Sequence, residues 1–394
     1  MATLGQMIRV TSIRNRLNEF CQNQGDKMSR PTPNYWDYLE LQSLLTLQGG
    51  LEKDENALDT DELHFIISHQ ALELWFKLII AEIRDARTAL ASPKVAEEMI
   101  PHVVHHLGRV SEILKLATQT FAVMETLTPQ DFMSFRDKLM PASGFQSFQM
   151  REMELLLGII WESRVKYGNI DPLDHIRKLA KTSPSGQMAL DRLSAALKEM
   201  TLRESMHTWL HRTPIFGSSP GLENDEEMVD QFLHEYADAV ANHHQSQVDR
   251  LLTTSLSSPE QIRAKYAQNT QVAKDYLFAV DIPEERRAFV KRYRAGLLFI
   301  ETYRELPLLA WPRLLIDALV EVDSQLVMFR HRHARMVERI IGRRVGTGGS
   351  SGVNYLDETT KIRVFHDLWT ARTVLLPKHL RPKLRNEEFY TFKD

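Results

Sequence analysis

Two histidines in this sequence sit inside otherwise apolar stripes. In Asp61–Lys77, DELHFIISHQALELWFK, the residues Phe65, His69, Leu72 and Phe76 are four, three and four apart. That spacing puts them on one helix face. His69 is then either a core histidine satisfied by a neighbour or a histidine lining a non-polar pocket, able to meet a ligand N–H or a metal. In Arg330–Ile340, RHRHARMVERI, His331 and His333 are two apart, roughly 200° around a helix, so both cannot face one pocket. The stripe Leu326, Phe329, His333, Val337, Ile340 is apolar apart from its histidine, whereas His331 has Arg335 and Glu338 on one side. His333 is therefore the buried member of the pair. A lone imidazole on a long apolar helix suits a proximal haem ligand, and equally a satisfied core histidine.

Two further segments could bind the polar end of a ligand. Phe132 and Arg136 are four apart on a helix that must end near Pro141. An arginine on a partly apolar face can take a carboxylate in two parallel hydrogen bonds, or form a surface ion pair with Asp131 or Asp137. Gly346–Gly352, GTGGSSG, follows the His333 helix. It lacks the Gly-Lys-Ser/Thr of a P-loop and the strand and glycine spacing of a dinucleotide site. It suits a lid over a polar group or a plain linker. His102, His105 and His106 share a helix face and could bind a metal, although solvated helix histidines are commoner. Glu204-x-x-His207 resembles half of a di-iron site whose second half is missing.

The elements that must position these residues are helices. Apolar residues recur three and four apart over roughly Asp61–Ala89, His102–Leu127, Gly144–Tyr167, Gln187–His211, Glu226–Leu256, Glu284–Glu305, Arg313–Gly342 and Lys361–Leu375. Sustained alternation is almost absent, so essentially no sheet is expected. Breaks fall at prolines and glycines, among them Pro141, Pro259, Pro283 and Pro312. Asn169–Gly186 and Phe216–Glu226 read as surface connections. The pattern predicts an all-α fold, a large helical bundle with several long helices. Residues 1–30 read as a weakly helical arm that needs something to pack on, and 31–394 as a single domain.

Composition narrows the function classes. The 394 residues carry 49 Lys and Arg against 52 Asp and Glu, a net charge of −3. That balance offers no electrostatic case for a nucleic-acid partner. The single cysteine, Cys21, excludes a disulfide framework, a thiolate metal cluster and covalent haem attachment. Met1–Gln24 has no continuous apolar stretch, unlike a signal peptide. Apolar runs such as Leu72–Ala81 contain Glu73 and Lys77 and are too short to span a bilayer. A cytoplasmic protein with no membrane partner is expected.

Together these segments resemble the tryptophan 2,3-dioxygenase family. The matching runs are YWDYL (Tyr35–Leu39), DELHFIISHQALELWFK, FRDKLMPASGFQS, RTP (Arg212–Pro214), DSQLVMFRHRH and GTGGSSGVNYL. The resemblance runs from about Tyr35 to the end of the chain and is weak from Asn169 to about Ile282. Jointly the runs are very specific, although each alone is weak. The sequence departs from the family's pattern at Trp36, Thr60, His64 and Phe329 and across Arg304–Arg313. None of these departures removes a chemical group assigned below.

The resemblance implies an all-α homotetramer that binds haem b without covalent attachment, active as Fe2+. It implies cleavage of the indole C2–C3 bond of L-tryptophan with O2 to give N-formyl-L-kynurenine. Carried over residue by residue, the proximal ligand to the iron falls on His333. The distal histidine that accepts the indole N–H falls on His69, with Phe65 in the indole pocket wall and Ile66, Ile67 and Ser68 in the same substrate-binding segment. The carboxylate-binding arginine falls on Arg136, beside Phe132, and the loop threonine on Thr347. Ser143 and Gly144 fall on a turn near the haem edge. Tyr35, Tyr38 and Leu39 match a segment that reaches the neighbouring subunit's pocket. Relatives of this fold oxygenate other indoles, so a different indole is an alternative substrate; a haem sensor or carrier without turnover is a second alternative.

Overall fold

The fold is taken from a computed structural model that describes residues 34–96, 98–139, 147–159, 172–344 and 352–391. Among the described residues the only β feature is an isolated bridge between Ile215 and Ser218. The chain divides into two compact units, Met1–Leu63 and His64–Asp394.

In the first unit, Asn34 caps the short helix α1 (Tyr35–Tyr38) by accepting a hydrogen bond from the Asp37 backbone N–H at 2.9 Å. A second short helix, α2, spans Leu41–Leu44. Tyr35, Trp36, Tyr38 and Leu39 are all exposed.

The second unit is built on long helices: α3 (Thr60–Ala91), whose first residues belong to the first unit, then α4 (Met99–Met124) and α5 (Pro129–Phe135). There follow α6 (Phe148–Leu157), α7 (Pro172–Ala180), α8 (Pro184–Ala196) and α9 (Leu202–His211). The chain continues through α10 (Asp225–Thr254), α11 (Pro259–Leu277) and α12 (Glu284–Thr302). It closes with α13 (Ala310–Ile341), α14 (Val353–Thr359) and α15 (His366–Val374).

Proline starts helices here as well as separating them. Thr128, Ser183 and Ser258 each precede a proline at the first helical position, and each hydroxyl accepts the backbone N–H three residues on. The ring's fixed φ is already helical and its missing N–H would have had no helical partner, while the hydroxyl satisfies one that would. This is why α11 forms where Pro259 reads only as a break, and why α8 starts within Asn169–Gly186, which reads as a connection and also holds α7. The expected helix Gln187–His211 is instead two. Thr201 and Glu204 form a reciprocal capping box that starts α9. Glu204 is thus a cap, and His207 stacks on Tyr293 at 4.1 Å.

By length and composition α3 could cross a membrane, which the shorter run Leu72–Ala81 does not suggest. In the structure one face of it lies in the core, where Leu72, Phe76, Ile79, Ile80, Ile83, Ala86 and Leu90 are buried, while Ile67, Leu74 and Leu78 are exposed. Arg212 of the RTP run closes its far end, donating to the carbonyls of Leu90, Ser92 and Pro93.

α13 lies along α4, with Phe329 against Phe121 at 5.0 Å and Arg332 paired with Glu125 at 2.8 Å. Fully buried Asp323 fixes α15 on α13 by accepting from Val364 N–H at 3.0 Å and Trp369 Nε1–H at 2.7 Å. α9 meets α12 so closely that a Cβ on Gly296 would lie 2.3 Å from the Leu210 carbonyl oxygen.

Candidate active site

α3, α4, α5, α6, α13 and α14 enclose a cavity of about 300 Å³, within the range of small-molecule pockets. The whole apolar face of α3, Phe65, His69, Leu72 and Phe76, lines it. Opposite stand Phe329, His333, Val337 and Ile340 of α13, four of the five stripe residues; the fifth, Leu326, is buried. Phe132 and Arg136 contribute from the end of α5 and the 3-10 turn Arg136–Leu139 that follows it. His331 points to the exposed side of α13.

The two histidines differ in hydrogen bonding. His69 Nδ1 lies 2.8 Å from the Phe65 carbonyl oxygen, one turn earlier. A carbonyl only accepts, so Nδ1 carries the proton and Nε2 is left with its lone pair. Although the His69 ring is open to the cavity, the surrounding protein lowers its pKa by burial, against the smaller raising effects of the Phe65 carbonyl and the Glu73 charge. His333 has no hydrogen bond to a described residue. Its ring stacks on Phe121 at 5.4 Å with 17° between planes, and Phe329 lies at 6.3 Å. Burial takes its pKa down to about 4, helped by the charges of His69 and Arg151. Both imidazoles are therefore neutral at pH 7, the form that coordinates a metal or accepts a hydrogen bond.

Besides Glu73 and Arg136, the wall carries a buried ionic cluster. Glu154 receives Arg330 at 2.9 Å and Arg151 at 2.9 Å, and all three side chains are buried. Burial, with the Arg151 charge, lowers the Arg330 pKa to about 10, so it stays a cation at neutral pH. Asp323 also acts on Arg330, against the lowering by burial, and the Nε of each guanidinium is buried with no hydrogen-bond partner among the described residues, which leaves donors for an anionic ligand. Neither arginine, nor Glu154, nor the stacking ring of Phe121 stands out in the sequence. Arg151 and Glu154 lie in a helix that reads only as apolar, and Arg330 in a run dominated by its histidines.

Other candidates fall elsewhere. Ile66, Ile67 and Ser68 are not among the cavity-lining residues: helix rotation turns them off the face that carries Phe65 and His69. Ser68 is buried and Ile67 exposed. Ser143, Gly144 and Thr347 lie outside the described residues, although Gly352, at the end of the Gly-rich run, lines the cavity.

The family model described as tryptophan 2,3-dioxygenase matches residues 19–375. The chain belongs to the tryptophan 2,3-dioxygenase family. It is 42% identical over 371 residues to tryptophan 2,3-dioxygenase of Sorangium cellulosum, covering 91% of this chain and 87% of that one. It is 41% identical over 374 residues to tryptophan 2,3-dioxygenase 2 of Ralstonia nicotianae, covering 92% and 98%. It is 36% identical over 365 residues to tryptophan 2,3-dioxygenase of the mosquito Aedes aegypti, covering 90% and 88%.

The cavity fits the haem such an enzyme uses. It supplies a neutral imidazole without a hydrogen-bond partner among the described residues, an apolar lining, and two buried guanidiniums whose Nε donors lack a partner there, suited to haem carboxylates.

Proposed function

We propose that this chain is a haem-dependent dioxygenase that cleaves the indole C2–C3 bond of L-tryptophan with O2, giving N-formyl-L-kynurenine, the first step of tryptophan degradation. The observation that carries the reading is that two neutral histidines and Arg136 line one apolar cavity in a chain of this family. When bound, haem b in its Fe2+ form supplies the redox chemistry toward O2. His333 is its protein ligand, with Arg151 and Arg330 toward its carboxylates and Ser143 and Gly144 near its edge.

The protein's own share is binding and orientation. Phe65 and Phe132, 5.9 Å apart, supply the aromatic wall for the indole ring. His69 Nε2 accepts the indole N–H and fixes the ring's rotation. Arg136 pairs with the substrate carboxylate, and Thr347 in the Gly-rich loop holds the amino-acid end as that loop closes. The apolar lining excludes water from the reacting ring. Ile66, Ile67 and Ser68 support this segment of α3 from outside the wall.

The working form is a cytoplasmic homotetramer. The uncovered apolar side chains of Tyr35, Tyr38 and Leu39 support a role in which this segment, with the arm 1–30, leaves the domain 31–394 and completes the neighbouring subunit's site. Haem-loaded, reduced protein given L-tryptophan and O2 should form N-formyl-L-kynurenine, and do so far faster than it oxygenates indole, 2-methylindole or tryptamine. Equal turnover of 2-methylindole and L-tryptophan would assign it to another indole. Haem-replete protein with no product from any of them would make it a sensor or carrier.

A further inference from the structure

The second histidine cluster noted in the sequence lies at the other end of α3 from His69. Asp85 of α3 faces His102 and His106 of α4, which are one turn apart. His102 Nε2 is 2.6 Å and His106 Nε2 is 3.3 Å from the same carboxylate oxygen, Asp85 Oδ2. The two imidazole rings lie 4.1 Å apart, and one ligand atom from each of the three residues falls within 4.8 Å of the others. From these contacts we propose that Asp85, His102 and His106 form a binding site for a divalent transition-metal ion of the zinc class.

Two features separate this cluster from solvated surface histidines. The first is the residue behind His106. Buried Glu82 takes the His106 Nδ1–H at 2.5 Å, and Arg109 donates to the other Glu82 oxygen at 2.7 Å. A carboxylate on Nδ1 fixes the tautomer that leaves the Nε2 lone pair for a metal, and Arg109 holds that carboxylate in place through its other oxygen. This carboxylate–histidine arrangement orients and strengthens ligands in metal sites. The second is convergence. With its proton committed to Glu82, His106 Nε2 directs a lone pair at an anionic oxygen, which is unfavourable unless a proton or a cation lies between them. His102 supplies a proton to Asp85 when the site holds no metal; a metal takes its place once His102 shifts its proton to Nδ1.

The donor set selects the ion. Two imidazoles and one carboxylate suit zinc and its borderline neighbours over calcium or magnesium, which favour all-oxygen shells. Three protein ligands leave a fourth tetrahedral position for water. Sixteen residues of helix place Asp85 about 24 Å along α3 from His69, so the ion is a clamp between α3 and α4 and takes no part in the chemistry of the cavity. His105 is excluded from the site because its Nε2 is occupied by Arg109 at 2.9 Å.

The test is equilibrium dialysis of the haem-loaded full chain, first stripped with a chelator, against zinc chloride, with iron and zinc counted per chain. The parent should take up one zinc per chain beyond its iron, and zinc should raise its thermal unfolding midpoint. His102→Ala, His106→Ala and Asp85→Asn should lose that zinc and the shift, while His105→Ala keeps both. Glu82→Gln should weaken zinc binding roughly ten- to a hundredfold. The His102 side chain is 41% exposed, so His102→Ala stays informative if Asp85→Asn or His106→Ala fails to hold haem. A parent that takes up no stoichiometric zinc, or zinc that survives His102→Ala or is lost equally in His105→Ala, overturns the proposal.

Discussion

The Nδ1–H of His69 donates to the carbonyl of Phe65 at 2.8 Å, and this bond decides what His69 can do for a ligand. It holds the ring against its own helix and leaves Nε2 as the only acceptor. A histidine set up this way accepts and orients an N–H, and cleavage of an electron-rich indole need not begin with full deprotonation. His69→Ser should therefore keep measurable turnover, with kcat/KM for L-tryptophan down by about 1 kcal/mol, roughly fivefold. The variant should also accept 1-methyl-tryptophan better than the parent does. Abolished chemistry with haem and substrate binding intact would mean that His69 does more than orient.

Arg136 should decide selectivity. A pocket for a neutral indole has no use for a guanidinium in its wall, whereas one for L-tryptophan needs a carboxylate partner. Arg136→Leu should lower kcat/KM for L-tryptophan by roughly 2–4 kcal/mol, about thirty- to a thousandfold. Turnover of indole and 2-methylindole should change little. Steady-state kinetics with the four compounds, parent against variant, reads this directly, and an equal loss on every compound would remove Arg136 from substrate recognition.

Asp367 should make stability depend on acid. Burial alone would raise its pKa, but His207, Arg294 at 2.8 Å and Tyr293 at 2.9 Å outweigh it and bring the value to about 2. The folded pKa lies below the unfolded one, so the contribution is complete above about pH 4 and lost as pH falls toward 2. The shift corresponds to about 2 kcal/mol. In urea unfolding, the stability gap between the parent and Asp367→Asn should be flat near neutrality and narrow by that amount below pH 4. A gap that is constant across the range would mean the contact is not electrostatic.

Much of the cavity is legible in the sequence, because helical spacing alone puts Phe65, His69, Leu72 and Phe76 on one wall and Phe329, His333, Val337 and Ile340 on the other. The same spacing separates His331, exposed, from His333. What is hidden is hidden for physical reasons. Arg330 meets Glu154, and through it Arg151, from a helix 176 residues away in sequence, and no local pattern marks such a pairing. Pro259 and Pro184 open helices because a hydroxyl residue precedes each of them; a proline read without its neighbour signals only a stop. Ile66, Ile67 and Ser68 come with His69 in a family motif, but a helix shows a cavity only one residue in three or four.

The claim that this cavity is a haem pocket held by His333 is tested most directly by counting haem. Parent, His333→Ala and His331→Ala should be loaded identically, and haem and iron per chain determined alongside the ferrous absorption spectrum with and without L-tryptophan. The parent should hold one haem per chain and change its spectrum when L-tryptophan is added, and His331→Ala should match it. His333→Ala should lose the haem or shift its spectrum strongly. Haem lost from His331→Ala and kept unchanged in His333→Ala would contradict the account.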